Sequence, residues 1–476
     1  MKLILRFLLT CVITLAFVLP NKSKACHLAA ADIYVTYVGE GADGCSDPDY
    51  KYEVTLIVYY ACQTCFSNGD GQQTVRYESL SLASGVQQLL LDPVNPNADT
   101  LHSLCGQFSD SNSCILPEWS LPRFTPLPHR AENFPGYQAR MYRNTTPLVL
   151  GAAVDWRFWW SQNARNISIN LQGQSSLYVE AGLNNLTKYN NSTPRFTSNP
   201  LPYICVNQPF TYLNSPMDPN GDSLNIFQQN AHSAAAPAGI INYATIPTPG
   251  GPFTFTNADP IYSAPSNPYN LNMYTGAATF TPRQQGFYVL AFRAEDYEWG
   301  VPNQTAPLSY TFRDVQIAVL PCNAPPPDID TLSRTATTVS NATIVKSKTM
   351  GDAIFVCPGS NMNVSLSTKS PNRGGKIYMY ANTQDFPGSS FNAPLNGNDS
   401  VVGTFGWTPG TSDVGQHTLV VTSKDSTCLI SQPIVLVSYR VIIVNVLNGI
   451  DAGPDVKICE FNPKPVPLYV TGAEDL

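Results

Sequence analysis

Charge is scarce in this chain: Asp, Glu, Lys and Arg together make up 13% of 476 residues. The basic residues gather into no patch or stripe, and the formal net charge is −7. A nucleic-acid binder, whose footprint is positive, is thereby excluded. Histidine is rarer still. His27, His102, His129, His232 and His417 are scattered without metal-ligand spacing. The GxSxG elbow, HExxH and the P-loop are missing. Carboxylate neighbours such as Glu295 and Asp296, or Glu474 and Asp475, would face opposite ways on a strand and make poor acid–base partners. A non-enzymatic protein is expected. After residue 25 no apolar run is long enough to cross a bilayer. No segment sustains the 3.6-residue apolar period of an amphipathic helix.

Proline (40) and tyrosine (24) are abundant instead. That mixture suits β-domains connected by turns, and the length suffices for about three. The expected fold class is all-β, with tandem β-sandwiches joined by Pro-rich linkers. Residues 1–25 read as a secretory signal. Lys2 and Arg6 give a positive start, Phe7 to Leu19 an apolar core, and Ser23 and Ala25 a small-residue cleavage site. The core is too short for a membrane anchor, and Lys24 argues against a lipoprotein at Cys26. Loss of the leader removes Lys2, Arg6, Lys22 and Lys24 and no acid, so the mature chain is more acidic. Of 12 cysteines Cys11 leaves with the leader, and the rest face an oxidising compartment where disulfides form. An odd number remains. Cys459 is the expected leftover, with a partner beyond Leu476.

Residues 26–190 form the first expected unit. Ile33, Val35 and Tyr37 alternate with residues of the opposite face, and Tyr52, Val54, Leu56, Val58 and Tyr60 do so more clearly. Further strands are expected over 74–82, 154–160, 167–171 and 177–181. Cys26, Cys45, Cys62, Cys65, Cys105 and Cys114 all fall here, and sequence alone does not choose their pairing. Cys62 and Cys65 have the spacing of a redox pair or half a zinc site, but no second CxxC accompanies them. Structural half-cystines are the reading that export favours. Trp156, Trp159 and Trp160 lie in an aromatic cluster that reads either as a carbohydrate platform or as β-core packing.

Residues 191–322 form the second unit, bracketed by Cys205 and Cys322, which look like a clasp between its first and last strands. Its clearest strands are 287–293 and 312–320. Asp218, Asn220 and Asp222 stand at alternate positions of a turn with Pro219 and Gly221. Three hard oxygen donors so spaced are candidate Ca²⁺ ligands, with Glu295 and Asp296 as further donors. Ordinary turn chemistry is the alternative, and the loop is not an EF-hand. Residues 323–330 are a Pro-rich linker. Residues 331–446 form a third, Ig-like sandwich, with Cys357 and Cys428 suitably separated for an inter-sheet disulfide and Trp407 packing against it. Residues 447–476 look like the start of a further domain that breaks off.

The ordered series of motifs resembles the large secreted surface proteins of Bacteroidota described as gliding-motility-associated or PKD-like repeat proteins. The series starts with His27–Tyr34 and Tyr52–Cys62. It continues with Arg165–Leu171, Glu180–Asn185, Asn191–Phe196 and Tyr203–Phe210, then Asp218–Leu224, Arg313–Ile317 and the closing Asp451–Asp455. Relatives often carry cysteines where this chain has 151–153 and 163–164, which fits one absent disulfide. The family's sorting domain for type IX secretion is not reached. The turn at 218–222 is similar to the acidic turns of cadherin-like domains, which implies Ca²⁺ at Asp218, Asn220 and Asp222. The resemblance implies a bacterial cell-surface protein with an adhesive or structural role, connected with gliding motility, whose partner is a surface polysaccharide or another surface protein. A carbohydrate-binding module carrying Trp156, Trp159, Trp160 or Trp299 is the alternative.

Overall fold

The computed structural model describes residues 28–40, 50–61, 71–91, 100–101, 137–197, 203–320, 325–329, 338–347, 351–425 and 435–447, less 83, 164, 174, 175, 302, 341 and 373. The expected leader, residues 448–476, and Cys26, Cys45, Cys62, Cys65, Cys105, Cys114, Cys322 and Cys428 lie outside the described residues. The fold is all-β, arranged as tandem sandwich-like units.

The first unit contributes β1 (Leu28–Glu40), β2 (Tyr50–Ala61), β3 (Gln72–Glu78), β4 (Ser84–Leu91), β5 (Thr100–Leu101), β6 (Tyr137–Arg143), β7 (Leu148–Leu150), β8 (Trp156–Gln162) and β9 (Leu177–Leu183). The period-two pattern sets its register. Val35 stands opposite Val54 and Ile33 opposite Leu56, and all four are buried. Residues 167–171 form no strand. The Asn170 side chain there bonds to Pro260 O at 3.0 Å and Val289 O at 2.7 Å and accepts from Val289 N, and the backbone pairs only singly, through Ile169 N to Phe287 O and an isolated bridge from Leu171 to Tyr243.

The second unit contributes β10 (Arg195–Phe196), β11 (Tyr203–Cys205), β12 (Phe210–Leu213), β13 (Pro216–Met217), β14 (Ser223–Gln229), β15 (Thr245–Ile246), β16 (Phe253–Thr254), β17 (Asn270–Leu271), β18 (Ala277–Phe280), β19 (Gly286–Tyr297) and β20 (Ser309–Leu320). Its core holds Tyr212, Phe280, Leu290 and Phe292, with Ala29, Ala30, Tyr59 and Ala139 of the first unit in the same cluster. The expected boundary at 190/191 therefore cuts through a continuous sheet. One edge of β20 pairs in turn with β9 at 309–312, with β1 at Asp314 and Val315, and with β11 at 318–320. Its other edge pairs with β19. The strand seals the seam between β1 and β9, and the first unit is closed only by a strand of the second.

Two buried ion pairs fasten that seam. Arg313 donates to Asp32 from Nε at 2.6 Å and Nη2 at 2.8 Å, with its guanidinium 4.6 Å from the Phe196 ring centre. On the other face of β20, Arg165 Nη1 donates to both Asp314 oxygens at 2.6 and 2.5 Å, and Nη2 to His232 O at 2.8 Å. Burial alone would lower the Arg313 pKa, yet the Asp32 carboxylate holds it above its ordinary value. Burial raises the Asp314 carboxyl, and Arg165 opposes the rise.

The third unit contributes β21 (Asp328–Ile329), β22 (Thr338–Ser340), β23 (Thr343–Ser347), β24 (Gly351–Val356), β25 (Met362–Lys369), β26 (Ile377–Ala381), β27 (Ser390–Asn392), β28 (Ser400–Trp407), β29 (Gly415–Asp425) and β30 (Leu436–Val446). β21, β22, β25, β28 and β27 make one sheet, and β23, β24, β30, β29 and β26 the other. Trp407, Ile354, Leu366, Phe405 and Val444 fill the space between them. The end of the expected linker is already structured, because Asp328 and Ile329 pair with Lys369 and Thr368. The expected Cys357–Cys428 bridge is not formed at Cys357, which is free and exposed. Val356 ends β24 pointing into the core, so the next residue falls on the solvent side. Leu436 and the half-buried Tyr439 of this unit pack on the second unit's core, and Arg195 lies 3.5 Å from Asp385.

Candidate metal centre behind the acidic turn

The turn at 218–222 folds around one oxygen. Asp218 Oδ1 accepts from the backbone N–H of Asn220 at 2.8 Å and of Asp222 at 2.9 Å, the local bonding that makes aspartate a turn former. Gly221 supplies the left-handed residue the turn needs, at φ +79°. A side chain there would also strike Val414 O, 2.9 Å from its Cβ position. The Gly221 carbonyl accepts from Gln416 N at 2.9 Å. The acidic turn is thus seated directly on β29 of the third unit.

From below, β19 brings in Asp296. Strand alternation turns it inward with Ala294 and Phe292, while Glu295 turns outward to Arg293 at 2.7 Å. Asp218, Asp222 and Asp296 each offer an oxygen within 4.8 Å of the others, and all three are at most 3% exposed. Asp296 Oδ2 accepts from Asn191 Nδ2 at 2.8 Å and Oδ1 from Ser309 N at 2.5 Å. Lys188 Nζ donates to both Asp222 oxygens at 2.8 Å, and Trp299 N to Oδ1 at 3.2 Å. Burial pushes the Asp296 carboxyl up to about 6, against those hydrogen bonds. Asp218 is pushed well above the usual carboxylate range by burial first and then by Asp296 and Asp222.

Two oxygens of this cluster are buried without a hydrogen-bond partner, Asp218 Oδ2 and Asn191 Oδ1, while the Ser309 hydroxyl lies against the Asp296 carboxylate. Of the expected Ca²⁺ ligands, then, Asp218 and Asp222 converge and Asn220 does not. Its Oδ1 accepts from Ser192 N at 2.8 Å and its Nδ2 donates to Asn190 O at 3.1 Å, so it braces the preceding loop instead. Asp296 takes its place. Lys188, Asn191 and Ser309 were not singled out as site residues. The signal for Asn191 was its place at the head of a motif; Lys188 and Ser309 carried none.

The tryptophan platform is not present at Trp156 and Trp160, each 3% exposed and in the first core. Their ring N–H groups donate inward, to Gly151 O at 2.9 Å and Gln73 Oε1 at 3.0 Å. Trp159 is half-buried with the Arg157 guanidinium 4.9 Å from its ring centre. No flat face is left for a sugar at the two buried rings. Cys205 is disulfide-bonded, with its partner outside the described residues.

No family model matches the chain, and no curated protein does. Among solved structures, the sialic-acid-binding region of a Streptococcus sanguinis adhesin aligns at 13% identity over 54% of this chain and 78% of its own, with a TM-score of 0.16. The Dpr2 Ig1–Ig2 pair, solved in complex with DIP-Theta, aligns at 14% identity over 54% and 100%, TM-score 0.17. Protocadherin gamma B7 cadherin domains 1–4 align at 10% over 87% and 92%, TM-score 0.16. Scores this low carry no statement about activity. Among the described residues no helix is long and apolar enough to cross a membrane.

Proposed function

We propose that this chain is a secreted, non-enzymatic surface protein whose work is mechanical: it bears load between a cell surface and what the cell adheres to. The observation that supports this reading is that in each of two units an early strand lies parallel to the last one. In the third unit, β24 lies parallel to the final strand β30, with Ala353 opposite Ile443 and Val356 opposite Val446. In the second, β11 lies parallel to the end of β20, with Cys205 opposite Leu320. Tension on the chain pulls parallel neighbours in opposite directions along their length. Their hydrogen bonds are then loaded together in shear, not opened one at a time as in an antiparallel hairpin pulled at its ends. Forced unfolding is governed by the unfolding rate, which such a clamp slows. Surface location and a place among gliding-associated proteins belong to the same proposal, and rest on the leader-like residues 1–25 and the ordered motifs.

Single-molecule pulling on the chain tests it. Stretching between residues 351 and 446 should give a discrete high-force rupture, and Phe355→Pro, which removes a donor from β24, should lower it. Rupture at the force of a simple hairpin, unchanged by Phe355→Pro, would remove the mechanical reading.

A further inference from the structure

We propose that Asp218, Asp222 and Asp296, with the side-chain oxygens of Asn191 and Ser309, form a calcium site behind the turn that seats the second unit on the third. Two independent features point there. The first is three buried carboxylates with oxygens inside a 4.8 Å span. The second is an orphaned neutral oxygen beside them: Asn191 gives a hydrogen to Asp296 from Nδ2, yet its Oδ1 is buried with no partner of its own, as is the second oxygen of Asp218. Buried polar atoms are ordinarily satisfied, and an orphan marks a water, an ion or a strained group.

Donor type, coordination and charge choose the ion. Calcium accepts an irregular all-oxygen cage supplied by the protein, whereas magnesium demands a near-ideal octahedron and keeps most of its waters. All donors are hard oxygens, with neither histidine nor cysteine among them, which suits calcium over zinc. Lys188 neutralises Asp222 from the solvent side. Three carboxylates and one ammonium leave two negative charges, the complement of a divalent cation. Five protein oxygens fall short of calcium's six to eight, so water completes the shell.

Cation binding stands apart from load bearing: titration decides one and pulling the other. The full chain, stripped with EDTA, is titrated with CaCl₂ by calorimetry and by melting temperature. Terbium luminescence on tryptophan excitation is read in parallel, since the Trp299 backbone N–H touches Asp222. A dissociation constant of about 10⁻⁴–10⁻³ M, as in extracellular modules, a rise in melting temperature, and a weaker response to MgCl₂ are expected. Asp218→Asn keeps the oxygen that accepts from Asn220 and Asp222 but loses a charged ligand, and should weaken binding about tenfold or more. Lys188→Met removes no proposed ligand and should tighten binding. A wild-type chain indifferent to both CaCl₂ and terbium would overturn the proposal. So would Lys188→Met and Asp218→Asn variants that bind calcium as the wild type does.

Discussion

Arg313 is the point at which the shared sheet is most exposed to a single change. Arg313→Met keeps much of the side chain's volume but leaves Asp32, 1% exposed, without its counter-ion. Taking the two charge centres as about 4 Å apart and an effective dielectric near 20, the lost attraction is about 4 kcal/mol. The stacking of the guanidinium on Phe196 adds roughly 0.5–2 kcal/mol, and the hydrophobic replacement returns part of this. Removing one partner of a buried pair generally costs about 3–5 kcal/mol. For a body of about 300 residues, the size of the first two units, that is roughly 5–8 °C in melting temperature. Calorimetry or urea unfolding of the full chain reads the effect, with the third unit's transition as an internal control. Replacing both partners, Arg313→Met with Asp32→Leu, should recover most of the loss, because no charge is then stranded. A single-variant loss below about 1 kcal/mol, or a double variant no better than the single, would refute the view that this pair fastens the seam.

Three further expectations follow from other parts of the structure. His417 sits beside Trp407 with ring centres 5.2 Å apart, and burial lowers its pKa. The unfolded imidazole then takes up a proton first, so the third unit's stability is full above about pH 6.5 and falls as pH drops below it. The difference between wild type and His417→Phe, followed by Trp407 fluorescence, should show that slope, and a flat difference from pH 8 to 5 would refute it. Cys357, free and exposed, should react with a maleimide in the native protein, while a protected thiol would restore the Cys357–Cys428 bridge. A fragment of residues 26–190 should aggregate or stay unfolded, since β1 and β9 lose the strand that seals them. A monomeric, cooperatively melting fragment would show that the seam is dispensable.

The strands legible in the sequence were those with one wet face. Tyr52 to Tyr60 alternate cleanly, and their inward members fill the first core. β20 was legible as a strand but not as a shared one. It is buried on nearly every position, so its pattern carries no sign of which sheet takes which edge. The motif polar groups read as features of unit 1 or unit 2 in fact meet across the seam: Arg165 with Asp314, and Asn166 with Gln316 at 2.8 Å. Half of the acidic site was visible because Asp218 and Asp222 share a turn. Asn220 was misplaced because spacing along a turn does not say which way an amide points, and here the backbone of Ser192 claims it. Ser309 reaches the cluster only through the pairing of β20 with β19, where it stands opposite Asp296.

The seam also sets a clock on folding. Ala30 cannot meet Val315, nor Ala31 meet Asp314, until nearly three hundred further residues have been made. At about 5–20 residues per second that is a wait of roughly 15–60 s for the edge of β1, and, over the shorter span from β9 to 309–312, roughly 6–26 s for the edge of β9. Contacts so distant in sequence are also slow to close once the chain is complete. The first unit therefore emerges first and finishes late, and its unsealed edges are the ones a chaperone would have to cover in the interval.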